Sequence, residues 1–143
     1  MRNAPSDQRI LVGIDGSESS KEALRVGARL ARALGAPLEA VACAGDPTVL
    51  DAGLFVDEEA LHAHQERIME RTVAAVFGTD VPAELTTTVT RGRPAGRLIT
   101  ESEHAQLLVL GRRGRGGVLG RSLGSVSNAC VAYAHCPVLV VRS

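Results

Sequence analysis

Short apolar segments alternate along the chain with segments that have the spacing of amphipathic helices. Most of these apolar segments are apolar on both faces, which is typical of strands inside a parallel sheet. The segment 84–91 instead alternates polar and apolar residues and is rich in Thr, which predicts a less buried strand. The five predicted strands are 10–14, 38–44, 84–91, 107–110 and 138–142. Their alternation with helices predicts an α/β fold in which a parallel sheet carries helices on both faces through right-handed crossovers.

The four intervening helices are bounded by residues that commonly start or stop helices. The predicted boundaries are a capping box at Ser19 and Glu22, then Asp57, Pro94 and Ser125 at helix starts, with Gly35 and Gly78 at helix ends. The order of elements is therefore βαβαβαβαβ. The order of the strands within the sheet cannot be read from these patterns.

The stretch 107–127, LLVLGRRGRGGVLGRSLGSVS, concentrates residues that suit an oxyanion. Its loop follows a predicted strand, and open α/β sheets bind ligands at the carboxyl ends of their strands. Glycines let backbone N–H groups approach an oxyanion, a helix N-terminus adds unpaired donors, and arginines add charge and forked donors. The glycines are Gly111, Gly114, Gly116, Gly117, Gly120 and Gly124, and the arginines are Arg112, Arg113, Arg115 and Arg121. A solvated surface loop is the alternative, but the flanking strand and helix favour a phosphate site.

Composition excludes several classes of protein. With 143 residues, 45% of them hydrophobic and 22% charged, the chain is predicted to form one globular domain, 9–143, after a flexible N-terminal segment, 1–8. The formal net charge is zero, so no overall basic field attracts nucleic acid. The N-terminus lacks an apolar signal segment, and no apolar run is long enough to span a membrane. Three cysteines are too few for a disulfide framework, so buried thiols in a cytoplasmic protein are expected.

Three motifs in order resemble one family over nearly the whole chain, from Arg9 to Arg142. They are RILVGIDGS at 9–17, the spacing Gly111-x2-Gly114-x9-Gly124-Ser125, and CPVLVVR at 136–142. The chain resembles the ATP-binding branch of the universal stress protein family. The resemblance implies a three-layer α/β/α fold with strand order 3-2-1-4-5. That order would bring Asp15 and the loop after Gly111 to one crevice.

Asp15 and Val41 are the predicted contacts outside the glycine-rich loop. An Asp beside a triphosphate would be repelled unless it binds a ribose hydroxyl or a metal ion, here Mg²⁺ or Mn²⁺. The resemblance puts Asp15 near the ribose and phosphates of ATP, while an Asx-turn or helix cap is an alternative that can coexist with this role. The resemblance also implies that the backbone of Val41 pairs with the adenine edge, whereas the residue pattern alone predicts a core position.

The remaining predicted binding residues flank these positions. Proximity to Asp15 indicates that the site is walled by Gly13, Ile14, Gly16 and Ser17. The resemblance assigns the signature to Gly111, Gly114, Gly124 and Ser125, and phosphate or ribose contacts to their neighbours Arg112, Arg113, Arg115, Gly116, Gly117, Val126 and Ser127. Among the arginines Arg113 is favoured, and Arg121 is expected in solvent.

Two functions remain open for such a site. One is an ATP-binding regulatory module of the stress response, and the other is a slow ATPase or phosphotransferase. No GxxxxGK[ST] loop is present, and 107–127 contains no Glu, Gln or His to orient water, which disfavours an evolved ATPase. An FMN carrier is disfavoured by the 2% aromatic content, and an adenylating enzyme by IDGSESS in place of an SGGxDS loop.

The last strand, 138–142, is predicted to form a homodimer. It is apolar on both faces with no charge before Arg142, and the implied strand order puts it at a sheet edge. An exposed apolar edge favours pairing with another copy. A helix or the N-terminal segment lying over this edge is the alternative.

Overall fold

The structure is a computed structural model that describes residues 8–45, 57–112 and 123–142. Helices and strands alternate along these residues as the sequence predicts. The elements are β1 (Ile10–Ile14), α1 (Glu18–Leu34), β2 (Leu38–Ala44), α2 (Glu58–Phe77), β3 (Leu85–Arg91), α3 (Pro94–Glu101), a 3₁₀ turn (Ser102–His104), β4 (Leu107–Gly111), α4 (Ser125–Tyr133) and β5 (Val138–Val141). The strand boundaries lie within one residue of the predicted ones.

The five strands form one parallel sheet in the order β3-β2-β1-β4-β5. The strand order that the family resemblance implied is therefore confirmed. β1 lies at the centre, and all five of its residues are buried. Its apolar character on both faces follows from this position, because helices cover both sides of a central parallel strand.

Two apolar layers pack against the two faces of the sheet. On the first face, α1 and α2 cover Ile10, Val12 and Ile14 of β1. On the second face, α3 and α4 cover Leu11 together with Leu108 and other residues of β4. The architecture is the predicted three-layer α/β/α sandwich.

Two of the predicted helix starts are displaced. The N-cap of α1 is Ser17, whose Oγ accepts a hydrogen bond from the Ser20 N–H at 3.1 Å, whereas Ser19 of the expected capping box is buried. The N-cap of α4 is Gly124, so Ser125 is the first helical residue and does not cap the helix. Four boundaries are confirmed: Asp57 caps α2, Gly78 ends α2, Pro94 begins α3, and Gly35 ends α1 in the left-handed conformation that glycine adopts most readily.

A polar network fastens the amino end of the sheet to α3. The guanidinium of Arg9 pairs with the carboxylate of Glu39 on β2 and, at 3.2 Å, with that of Glu101 on α3. Arg9 Nε also donates to the His104 carbonyl at 2.9 Å, and Thr88 Oγ1 donates to the second oxygen of Glu39 at 2.8 Å. Because the carboxylates of Glu39 and Glu101 both pair with Arg9, these half-buried charges are compensated.

None of the helices in the described part of the chain combines the length and the hydropathy needed to cross a bilayer. Residues 1–7 lie outside the described residues, and the predicted flexible segment 1–8 stays a prediction. Gln8 is described, and its carbonyl accepts a hydrogen bond from the Gln106 side chain.

Candidate functional site

The candidate site lies between β1 and β4. From β1 the chain adds β2 and β3 on one side of the sheet, and then β4 and β5 on the other side. β1 and β4 are neighbours, paired from Ile10 opposite Leu107 to Val12 opposite Val109. β1 continues into α1 on the first face, whereas β4 leads towards α4 on the second face. Connections that leave in opposite directions open a crevice at the carboxyl ends of the two strands, and open α/β sheets bind ligands there.

In the turn from β1 into α1, side chains of the turn form hydrogen bonds with its own backbone. Asp15 Oδ1 accepts a hydrogen bond from the Ser17 N–H at 2.9 Å, which is the Asx-turn considered for this residue. Ser17 Oγ caps the Ser20 N–H, and Ser20 Oγ donates to the Ser17 carbonyl at 3.0 Å. Gly16 has φ 84, a conformation that suits glycine. Hydroxyls and carboxylate thus satisfy polar groups within the turn.

Gly111, at the end of β4, joins the two helix starts. A Cβ on Gly111 would lie 2.7 Å from the carbonyl carbon of Ser19, so only glycine allows β4 to approach the first turn of α1 this closely. On the other side, the Gly111 carbonyl accepts a hydrogen bond from Ser127 Oγ at 2.7 Å. The Arg112 carbonyl accepts one from the Gly124 N–H at 2.8 Å. The N-termini of α1 and α4 therefore both lie beside the end of β4.

The first turn of α4 has no side-chain cap. The first intrahelical bond runs from the Asn128 N–H to the Gly124 carbonyl at 2.9 Å. The N–H groups of Ser125, Val126 and Ser127 precede that bond, and none of them has a cap from a side chain of the described residues. Uncapped amides at the positive end of a helix dipole are suited to bind an anion.

Gly13 and Ile14 lie within β1, and their predicted place in the wall of the site stays a prediction. A Cβ on Gly13 would lie 2.7 Å from Leu110 Cδ2 and 3.1 Å from Leu98 Cδ1. Glycine at this position therefore lets α3 and β4 pack over the centre of the sheet. The Ile14 side chain is buried in the apolar layer of the first face. Any wall that these two residues contribute to the crevice consists of backbone.

Val41 occupies the middle of β2, opposite Gly13 on one side and Thr88 on the other. Its side chain is 1% exposed, as the residue pattern alone predicts. Pairing between β1 and β2 ends at Ala42, while β2 continues to Ala44 and is paired there with β3 only. Among the described strands, the backbone edge that β2 leaves unpaired therefore lies at Cys43 and Ala44, two to three residues beyond Val41.

Comparison with known proteins identifies the family. The model of the universal stress protein family matches residues 8–142 of the chain. The chain belongs to this family. A universal stress protein of Thermus aquaticus is 40% identical over 136 residues, which cover 93% of this chain and 97% of that protein. A universal stress protein of Mycobacterium tuberculosis is 37% identical over 139 residues, which cover 96% of this chain but 46% of that relative, so the chain spans about half the length of the mycobacterial protein.

Solved structures share the fold. The universal stress protein UspA from Lactobacillus plantarum superposes with a TM-score of 0.75 at 26% identity, covering 98% of this chain and 100% of that one. A universal stress protein in complex with cAMP has a TM-score of 0.61 at 24% identity, covering 94% of this chain and 96% of that one. The universal stress protein from Archaeoglobus fulgidus in complex with dAMP has a TM-score of 0.66 at 22% identity, covering 93% and 96%. The last two likenesses concern the fold alone.

Much of the signature of this universal stress protein falls outside the described residues. These predicted positions are Arg113, Gly114, Arg115, Gly116 and Gly117, together with Arg121. Their predicted contacts with phosphate or ribose stay predictions. The described end of the signature, Gly124 to Ser127, is the uncapped start of α4.

The described residues provide neither a cluster of metal ligands nor a reactive thiol. Within 8–45, 57–112 and 123–142, no three His, Cys, Asp or Glu side chains converge to hold a metal ion. Burial raises the pKa of the Cys43 thiol to about 11 and that of the Cys130 thiol to about 11. Both thiols are therefore protonated at neutral pH, which makes them poor nucleophiles. They behave as the small buried residues that the cysteine count predicts.

Proposed function

We propose that this universal stress protein binds ATP in the crevice between β1 and β4 and acts as a nucleotide-dependent regulatory module. The observation that carries the proposal is the start of α4. No side chain of the described residues caps its first amides. Hydrogen bonds from Ser127 Oγ to the Gly111 carbonyl and from the Gly124 N–H to the Arg112 carbonyl hold this helix start at the end of β4, beside the first turn of α1. An anionic ligand would supply the acceptors that this helix start lacks.

The triphosphate would lie at the amides of Ser125, Val126 and Ser127. These donors and the helix dipole are fixed before a ligand arrives, so little reorganisation opposes binding. Arg112 lies directly after β4, and its backbone is held by bonds to Val141 and Gly124. Its guanidinium would add a charge-assisted contact to a phosphate oxygen.

Asp15 would support a metal ion bound with the nucleotide. Mg²⁺ in such sites takes one or two carboxylates and fills its other positions with phosphate oxygens and water. A site with one protein carboxylate beside a triphosphate fits that pattern. Bound Mg²⁺ or Mn²⁺ would offset the charge between Asp15 and the phosphates.

The adenine base would lie at the carboxyl end of β2. There the backbone of Cys43 and Ala44 is unpaired on the side of β1, among the described strands. Backbone N–H and C=O groups at such an edge can pair with the donor and acceptor edge of a purine. This geometry favours Cys43 and Ala44 over Val41, whose backbone lies inside the sheet. The complexes with cAMP and dAMP in proteins of the same fold support an adenine nucleotide as the ligand.

The direct test is mass spectrometry of the small molecules that the purified protein releases on denaturation. Release of ATP supports the proposal. Release of ADP alone would favour slow hydrolysis at the same site, and release of FMN would contradict the proposal. If nothing co-purifies, calorimetric titration with ATP and Mg²⁺ decides, and a Kd above the millimolar range would exclude a physiological ATP module.

We also propose that the protein forms a homodimer through 138–142. β5 lies at one edge of the described sheet, and its Leu139 side chain is 36% exposed. Antiparallel pairing of two β5 strands across a two-fold axis would satisfy both edges. Val140→Lys should convert the dimer into a monomer on light scattering, because it adds a charge to the paired strand. A wild-type protein that is monomeric at tens of micromolar would contradict the interface.

A further inference from the structure

The hydroxyl of Ser127 is bonded to the end of β4. Ser127 is the third residue of α4 and is 4% exposed. Its Oγ donates to the Gly111 carbonyl at 2.7 Å, so the helix start is joined to a residue 16 positions earlier in the chain. A hydroxyl has one O–H to donate. That donor is therefore used within the protein, and it does not remain for a phosphate.

The Gly111 carbonyl points towards β1. The peptide that joins Gly111 to Arg112 is trans, so its C=O and N–H point in opposite directions. The Arg112 N–H donates to the Val141 carbonyl of β5 at 2.8 Å, and β5 and β1 lie on opposite sides of β4. Described pairing between β4 and β1 ends at Val109, so no residue of β1 is paired with Gly111 there. Without Ser127, the carbonyl oxygen would face the crevice between β1 and β4.

A bare carbonyl oxygen at this place would disfavour an anion. The oxygen is the negative end of the peptide dipole, whereas the start of α4 beside it is the positive end of the helix dipole. The Ser127 O–H covers this oxygen and holds the first turn of α4 against β4. The Gly124 N–H, which donates to the Arg112 carbonyl at 2.8 Å, forms the second connection. Two hydrogen bonds therefore fix the orientation of the helix start relative to the strand.

We propose that Ser127 is a positioning residue for the phosphate groups of the nucleotide. Its hydroxyl covers the Gly111 carbonyl and orients the first amides of α4 towards the crevice, and the hydroxyl itself does not contact the ligand. This inference rests on the proposed ATP site and assigns a role to one side chain of that site. Donors that are oriented in advance bind an anion with little reorganisation. Loss of the hydroxyl should therefore weaken binding of the phosphates more than binding of the base.

The test measures three ligands by calorimetry: ATP, inorganic tripolyphosphate, which lacks base and ribose, and adenosine, which lacks phosphate. Ser127→Ala removes the hydroxyl and adds no bulk. We expect the affinities for ATP and tripolyphosphate to fall by a similar factor, about tenfold, while adenosine affinity stays within about twofold of the wild type. Ser127→Thr keeps a hydroxyl at this position and should hold both phosphate ligands within about threefold of the wild type.

Thr72→Val is the matched control. Thr72 is 1% exposed, and its Oγ1 donates to the Ile68 carbonyl at 2.8 Å within α2, the helix that packs over β2 and β3. The control therefore removes the same kind of buried bond from a different part of the fold. Urea denaturation without nucleotide should show a loss of stability in both Ser127→Ala and Thr72→Val, whereas ATP affinity should fall only in Ser127→Ala.

Four outcomes would overturn the inference. Unchanged tripolyphosphate affinity in Ser127→Ala would show that the hydroxyl does not affect the phosphate groups, and an equal loss for all three ligands would indicate a general structural role. Weaker ATP binding in Ser127→Ala without any loss of stability in the absence of nucleotide would assign the hydroxyl to direct contact with the ligand. Affinities in Ser127→Thr as low as in Ser127→Ala would show that the hydroxyl is not the group responsible. A wild-type protein that binds neither ATP nor tripolyphosphate would instead contradict the proposed function, and the inference with it.

Discussion

The two strand–turn–helix units that meet at the crevice use the same topology in opposite ways. In β1–α1, Asp15 and Ser17 accept hydrogen bonds from the N–H groups of the turn and of the first helical turn. In β4–α4, the N-cap is Gly124, which has no side chain to do so, and no side chain in the described part of the chain caps the first amides of α4. In the first unit, side chains of the turn cap the helix, whereas in the second no side chain of the described residues does so.

This difference shows what determines whether a helix start at a sheet edge can serve as an anion site. Both starts have the same dipole direction and lie beside the end of β4. A side-chain cap from the same segment accepts hydrogen bonds from the first amides of a helix. Those amides are then not available to a phosphate. Under the proposed function, the residue at the N-cap would decide which helix start can bind phosphate, and substitutions at these positions test that.

Gly124→Asp should have the largest effect. Gly124 has φ −74 and ψ 170, which any residue can adopt, so the variant should fold. The new carboxylate would cap the α4 amides and repel the triphosphate, as the first unit does with its own side chains. We expect ATP affinity in calorimetry to fall about a hundredfold, or ~2.8 kcal/mol. Gly124→Ala adds neither acceptor nor charge and should cause a much smaller loss. Equal affinities in the two variants would show that the α4 amides do not bind phosphate.

Gly111→Ala tests the contact that joins the two units. The added Cβ would overlap the backbone of Ser19, so β4 and α1 must separate. We expect a loss of about 1–3 kcal/mol in the free energy of unfolding, measured by urea denaturation. Gly96→Ala is the matched control, because a Cβ on Gly96 meets nothing within 4 Å in the exposed face of α3. That control should gain up to ~1 kcal/mol from helix propensity. If Gly111→Ala is as stable as the wild type, the two units do not depend on this contact.

The sequence predicted the fold well because its strongest signals are local. The apolar segments of β1, β2 and β4 have the length and pattern of buried parallel strands, and Gly35 ends α1 as a glycine cap. The alternating Thr residues of β3 predicted a less buried strand, and β3 is largely half-buried or exposed. The strand order came from the family resemblance, since local patterns carry no information about which strands become neighbours.

The sequence predicted the helix caps beside the candidate site less well, because tertiary contacts decide which residue caps a helix. The segment Ser17–Ser20 offers three serines that can each cap a helix, and burial of Ser19 beneath Gly111 determines that Ser17 does so. The family resemblance assigned the adenine contact to Val41, which stays a prediction; among the described strands, the unequal lengths of β1 and β2 leave the β2 backbone unpaired at Cys43 and Ala44.

Asp15→Asn should have an intermediate effect. It tests whether the turn between β1 and α1 also contributes a carboxylate to nucleotide binding. Asn retains the Oδ1 that accepts the Ser17 N–H, so the Asx-turn should survive. The substitution removes the carboxylate charge that would support Mg²⁺. We expect ATP affinity to fall about tenfold, or ~1.4 kcal/mol, with Mg²⁺ present and to change little in EDTA. An equal loss under both conditions would assign Asp15 to the ribose rather than to a metal ion.

Ser17→Ala should have the smallest effect. It tests whether the serine cap of α1 contributes to stability, in contrast to Ser125 at the start of α4. Removal of Oγ leaves the Ser20 N–H without its acceptor, 3.1 Å away in the wild type. Loss of a serine N-cap costs about 1 kcal/mol in the free energy of unfolding, and urea denaturation resolves a change of this size. Ser125→Ala is the matched control at the start of α4. Ser125 is exposed and makes no cap bond, so this control should change stability by less than about 0.5 kcal/mol. Equal losses in the two variants would mean that both helix starts depend on their serines, and that the contrast between the two helix starts is wrong.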